Sequence, residues 1–191
     1  MMQSEPDGAR PSGRLYALVI YLPERLGRFL DDLRLEMVPD CNAHAHVSLL
    51  PPRPLSVDPE IAIQEARAIL EPCPPFDVEL GEIEKFDVTD VIYISIAAGA
   101  EQLRQMHHSL DHGSLAFREP FVYHPHVTLA QEIEKERVEE LRLFCAQRWR
   151  AFRGPRGFRV ETAVFVRNIR GNQWDDLATL TFRAAPAARR D

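Results

Sequence analysis

The sequence predicts an α+β fold of two lobes. Each lobe carries a small antiparallel sheet backed by helices, and the two are related by an approximate twofold with a cleft between them. Two observations carry this expectation. The stretch His44-Ala45-His46-Val47-Ser48-Leu49 returns 80 positions later as His124-Pro125-His126-Val127-Thr128-Leu129. The elements around it return as well: apolar strand, helix, histidine strand, helix, strand, and then the same series again. A repeat this long is no solenoid unit, and a duplicated α+β lobe is the simplest layered arrangement that explains it. A second echo, Phe76-Asp77-Val78-Glu79 against Phe158-Arg159-Val160-Glu161 at an offset of 82, supports the same duplication.

Taken in order, Arg14 to Leu22 is nearly continuous apolar sequence and reads as a buried strand. Pro23 stops it and suits a helix start. Leu26, Phe29, Leu30, Leu33 and Met37 then recur at i, i+3, i+4 and i+7, so the spacing predicts a helix to about Met37. The first histidine strand follows and closes at Pro51-Pro52. Asp58-Pro59-Glu60 combines a side-chain cap, a proline at the first helical position and an acid at the positive end of the dipole. That helix ends near Glu71, and strand alternation resumes from Phe76 to Phe86. In the second half, Val91 to Ala98 is a strand. A helix presenting Leu103, Met106, His107 and Leu110 on one face comes next, with His107 read as a core histidine. The second histidine strand precedes a helix with Val138, Leu141, Cys145 and Trp149. Phe158 to Arg167 and Leu177 to Phe182 are strands around a turn at Gly171-Asn172. The expected organisation is a single bilobal domain over residues 14–183, with disordered tails at 1–13 and 184–191.

At 191 residues, 45% hydrophobic and 27% charged, the chain has an ordinary globular composition. No apolar run approaches the roughly 20 residues of a membrane span. The three cysteines, Cys41, Cys73 and Cys145, form no C-x-x-C pair. They suit a reducing cytoplasm better than a disulfide framework. The net charge of −6 disfavours a general nucleic-acid coat. Yet between Arg142 and Arg170 there are eight arginines and one acid, Glu161. Such a segment is either a solvated basic face or a holder of phosphates.

In a strand, side chains at i, i+2 and i+4 share a face. Each motif therefore sets two imidazoles and a hydroxyl side by side, with Val47 and Leu49, or Val127 and Leu129, turned to the core. Two imidazoles on opposite walls of a cleft can act as general base and general acid on one phosphodiester. Ser48 and Thr128 can donate to the non-bridging oxygens where charge develops. That chemistry needs no cofactor and no metal. Two His-x-His pairs could instead ligate a metal, and a non-catalytic nucleotide- or RNA-binding module is a further alternative.

The pair His46-Val47-Ser48-Leu49 and His126-Val127-Thr128-Leu129 resembles the H-x-[Ser/Thr]-x signatures of the two-histidine (2H) phosphoesterase superfamily. Within it, the chain is most similar to the bacterial 2′-5′ RNA ligase / RNA 2′,3′-cyclic phosphodiesterase branch, with the resemblance running from about Arg14 to Phe182. It implies a bilobal α+β fold and metal-independent action on 2′,3′-cyclic phosphates or 2′-5′ linkages. It also implies catalytic roles for His46, Ser48, His126 and Thr128. Ser48 stands where the family more often has threonine, which keeps the hydroxyl and loses a methyl that stiffens the rotamer. Tyr123, His124 and Arg167 are candidate substrate-binding residues, Arg167 as the phosphate arginine. The expected partner is an RNA terminus or a small nucleotide, with no membrane and no protein partner, for a monomer in the cytoplasm.

Overall fold

The computed structural model describes residues 14–38, 44–171 and 173–183. The expected tails at 1–13 and 184–191, Cys41 and Asn172 lie outside the described residues. The chain order is β1 (Leu15–Tyr21), α1 (Glu24–Met37), β2 (His46–Pro54), α2 (Pro59–Leu70), β3 (Phe76–Lys85), β4 (Ile92–Ala98), α3 (Ala100–Leu110), β5 (His126–Ala130), α4 (Val138–Ala151), β6 (Gly157–Val160), β7 (Thr162–Arg170) and β8 (Gln173–Thr181). Short 3-10 turns at Gly113–Leu115 and Lys135–Arg137 lead into the later segments. The start of α2 matches its sequence signal. Asp58 accepts from the Glu60 amide at 2.9 Å, and Pro59 occupies the first turn. In α1 the proline sits one step earlier than a first-turn residue, because Pro23 is the cap and the Gly27 amide donates back to its carbonyl at 2.7 Å.

Two four-stranded sheets form, with strand orders β2-β1-β7-β8 and β5-β4-β3-β6, and every pairing is antiparallel. The orders correspond over three positions: each sheet begins with a histidine strand, continues with the strand that opens the same half, and then takes a strand from the other half, β7 or β3. The fourth strand is β8 of the other half in one sheet and β6 of the same half in the other. β3 crosses into the sheet built by β4 and β5, while β7 and β8 return to β1. The lobes are therefore interleaved in sequence, and the second echo needs a correction. Phe76 and Val78 pair with Val160 and Phe158, so these two segments are neighbours in one sheet. The counterpart of β3 by position is β7. Both segments alternate apolar and polar residues because each has one face on the core, which is enough to make their sequences alike.

One hydrophobic core runs beneath both sheets, including Leu30, Leu33, Leu70, Ile94, Leu103 and Trp149, all fully buried. Trp149 also needs a partner for its indole N–H. It donates to the Gly81 carbonyl at 2.8 Å, and the Arg156 guanidinium covers the ring at 4.3 Å. Among the described residues, Arg53, 1% exposed, is the charged side chain that is buried. It is matched by Asp111 at 3.0 Å, by Glu119, and by the Leu115 carbonyl at 2.8 Å, as a buried guanidinium requires. Among the described residues, no helix is long and apolar enough to cross a membrane.

Candidate active site

β2 and β5 are edge strands of different sheets, and their edges lie against each other at the junction of the lobes. Their exposure follows one pattern, position by position. His44 and His124 are exposed; Ala45 and Pro125 are buried; His46 and His126 are half-buried; Val47 and Val127 are buried; Ser48 and Thr128 are half-buried; Leu49 and Leu129 are buried. The period-2 rule thus sets imidazole and hydroxyl on one face of each strand while four apolar side chains, each 1% exposed or less, anchor the other.

The two half-buried imidazoles are held identically. His46 Nδ1 lies 2.7 Å from the His44 carbonyl, and His126 Nδ1 lies 2.6 Å from the His124 carbonyl. A carbonyl only accepts, so Nδ1 carries the proton in both rings and the neutral form keeps its lone pair on Nε2. Burial depresses both rings. His46 is pulled down to about 4, mainly by desolvation, with the positive charge of Arg34 and the neighbouring His44 and His126 adding to it. His126 is also lowered, by desolvation first and then by His124. The two rings stand on β2 and β5, edge strands that meet at one junction.

The surroundings differ between the walls. On the first, Tyr21 stacks on His44 with ring centres 3.8 Å apart and donates its hydroxyl to Asp176 at 2.6 Å. On the second, Phe86 stacks on Tyr93 at 4.1 Å, and this pair meets His124 and His126 edge-on at 5.1 to 5.5 Å. Beneath the motif strands, the Tyr123 hydroxyl donates to the Ser48 carbonyl at 2.7 Å, and its ring stacks on His107 at 3.8 Å. His107 is a structural histidine, donating from Nδ1 to the Leu49 carbonyl at 2.8 Å. Arg34 reaches from α1 to the Thr128 carbonyl at 3.0 Å.

The structure brings together His46, Ser48, His126, Thr128, His124 and Tyr123. Arg167 stands apart from this group. It pairs with Tyr16, whereas His46 pairs with Tyr21 at the other end of β1. At about 3.4 Å per residue the two are roughly 17 Å apart along the strand. Its guanidinium is engaged by Asp175 at 3.1 Å. Three further arginines of the basic segment have carboxylate partners: Arg142 pairs with Glu139, Arg148 with Glu36 and Arg159 with Asp77. The arginine that sequence reasoning missed is Arg34. It sits four residues after Leu30 and three before Met37, so it interrupts the apolar stripe of α1, and a charge in such a stripe is the signal that could have found it. Among the described residues, no three His, Cys, Asp or Glu side chains converge as a metal-ligating cluster.

Comparison with known proteins agrees with this geometry. The family model of the 2′-5′ RNA ligase superfamily matches residues 22–172. A Geobacillus kaustophilus protein provisionally named a phosphoesterase is 26% identical over 127 residues, which is 62% of this chain and 69% of that protein. A similarly named protein of Oceanobacillus iheyensis is 26% identical over 80 residues, 41% of this chain and 46% of its own length. Among solved structures, apo LigT of E. coli has a TM-score of 0.61 at 15% identity, covering 88% of this chain and 97% of that one. TT0787 of Thermus thermophilus has a TM-score of 0.64 at 18% identity, covering 89% and 98%. These two likenesses concern the fold. LigT has also been solved with phosphate, 3′-AMP, NADP+ and ATP.

Proposed function

The chain belongs to the 2′-5′ RNA ligase superfamily, and from that premise we propose that it is a metal-independent phosphoesterase acting on 2′,3′-cyclic phosphate or 2′-5′ phosphodiester bonds. The observation that carries this reading is the matched pair His46 and His126, each fixed through Nδ1 to the carbonyl two residues upstream and each presenting Nε2. In ring opening, one Nε2 takes a proton from water as the water oxygen bonds to phosphorus. The bond from phosphorus to one ribose oxygen breaks, and the other imidazole gives that oxygen a proton. The sum is addition of one water. Two neutral histidines cannot do this, so one must be protonated first. Burial works against that in the empty site, and the anionic phosphate works for it, because a nearby negative charge favours imidazolium. Ser48 and Thr128 hold the non-bridging oxygens from the two walls, each contributing about 3 kcal/mol to the transition state. The two rings have equivalent connections, so which is acid and which is base follows from the way round the nucleotide lies.

The nucleotide and phosphate complexes of LigT support a substrate of this class, an RNA terminus or a small nucleotide. In this reading the protein works as a cytoplasmic monomer. The test is to incubate chelator-treated protein with 2′,3′-cyclic mononucleotides and with a short RNA ending in a cyclic phosphate. Ring opening without metal is expected. Activity that returns only with zinc or manganese would move the histidines to ligand roles, and no turnover in any condition would refute the enzymatic reading.

A further inference from the structure

The carbonyls of Ser48 and Thr128 each accept a hydrogen bond from a side chain of the opposite half of the chain. Tyr123, in the segment leading to β5, donates to Ser48 of β2 at 2.7 Å. Arg34, on the helix preceding β2, donates to Thr128 of β5 at 3.0 Å. The two strands belong to different sheets, so no ladder sets their separation. Something else must, because a phosphate held from both walls leaves a tolerance well under 1 Å. We propose that Arg34 and Tyr123 are reciprocal positioning residues: each crosses the junction to hold the backbone under the other half's hydroxyl, and together they set the gap and register between the two histidine strands. This rests on the phosphoesterase reading for its consequence, though not for its geometry.

Both residues are built for the task. The Tyr123 ring is fixed by its stack on His107, whose own Nδ1–H holds the next carbonyl, that of Leu49, at 2.8 Å. Burial, then the nearby Glu119, raises the Tyr123 phenol well above its ordinary range, so it stays a donor at any working pH. Arg34 lies on the stripe of α1 that includes buried Leu30, Leu33 and Met37. Its Nε is buried with no partner among the described residues. A buried unpartnered donor is costly and is retained here on the side chain that reaches Thr128. The charge of Arg34 also acts on His46. The other charged or titratable groups acting on that ring are His44 from the segment that opens its own strand and His126 from β5.

The test uses the intact protein and a 2′,3′-cyclic mononucleotide. Tyr123→Phe removes one hydroxyl and keeps the stack. We expect kcat to fall at least about tenfold with KM within about twofold, since misplacement costs rate more than affinity. Arg34→Met should act alike, and Arg34→Lys, which can still donate to Thr128, should restore much of the loss. Because both contacts set one gap, the double variant should lose less than the product of the single losses. In the histidine NMR titration, Arg34→Met should move His46 upward and Tyr123→Phe should leave it near its wild-type position. Unchanged kcat in both single variants, fully multiplicative losses, or an unmoved His46 in Arg34→Met would overturn the proposal. Should the wild type itself turn over nothing, the functional reading fails separately. The clamp is then judged without substrate, by amide hydrogen exchange in β2 and β5, which should quicken in both single variants; unchanged exchange in both would overturn it.

Discussion

Replacing His46 by asparagine should make the protein less sensitive to mild acid, by an amount the site itself sets. Asparagine can still donate to the His44 carbonyl from about where Nδ1 sits, so the perturbation is chiefly the loss of a titrating group. In the folded chain His46 is depressed to about 4 from an ordinary value of 6.5. Above pH 6.5 the ring is neutral in both the folded and the unfolded chain and contributes no pH dependence. As pH falls below 6.5 the unfolded chain binds a proton that the folded chain refuses, so stability is lost. The loss levels off only near pH 4, where the folded ring also protonates. From these two values the wild type gives up about 2 kcal/mol through His46 by pH 5 and about 3 kcal/mol at the plateau, at 1.36 kcal/mol per unit. His126 adds a loss of the same sign. Urea unfolding followed by tryptophan fluorescence at pH 7.5, 6 and 5 measures this directly. The difference in stability between wild type and His46→Asn should shift in favour of the variant by about 2 kcal/mol between pH 7.5 and 5. Parallel pH curves would refute the claim that the empty site holds His46 neutral.

The remaining expectations concern rate and fold. His46→Ala and His126→Ala should each lower kcat by about 10²- to 10⁴-fold with far-UV circular dichroism unchanged; near wild-type rates in both would end the paired-histidine reading. Arg53→Met leaves the partly buried Asp111 and Glu119 without their cation. It should cost about 3 to 5 kcal/mol in urea unfolding, while a loss under about 1 kcal/mol would show the charges to be well hydrated. Arg167→Ala should leave KM for a cyclic mononucleotide unchanged at low and high salt, since its guanidinium is held by Asp175 at the far end of β1. A salt-dependent rise in KM would reinstate it as a phosphate ligand.

What the sequence alone determined is local or repeated. Strand alternation placed His46 with Ser48 and His126 with Thr128 because side-chain direction in a strand has period two whatever the strand pairs with. The cap of α2 and the apolar stripes of α1, α3 and α4 were legible for the same reason: a helix sets its own spacing and fills its own terminal hydrogen bonds. The duplication told of two similar sheets. Tertiary structure alone decided which strands fill them. The exchange of β3 for β7 and β8 leaves no mark on either strand, since an alternating strand satisfies its buried face equally well in either sheet. It likewise decided which arginine approaches the histidines. Arg167 sits in a conspicuous basic run yet ends beside Asp175, whereas Arg34 is one charge in an apolar stripe and reaches Thr128 only because α1 packs across β5. Charge in a sequence counts residues, but a site depends on where a charge lies and what already neutralises it, and packing sets both.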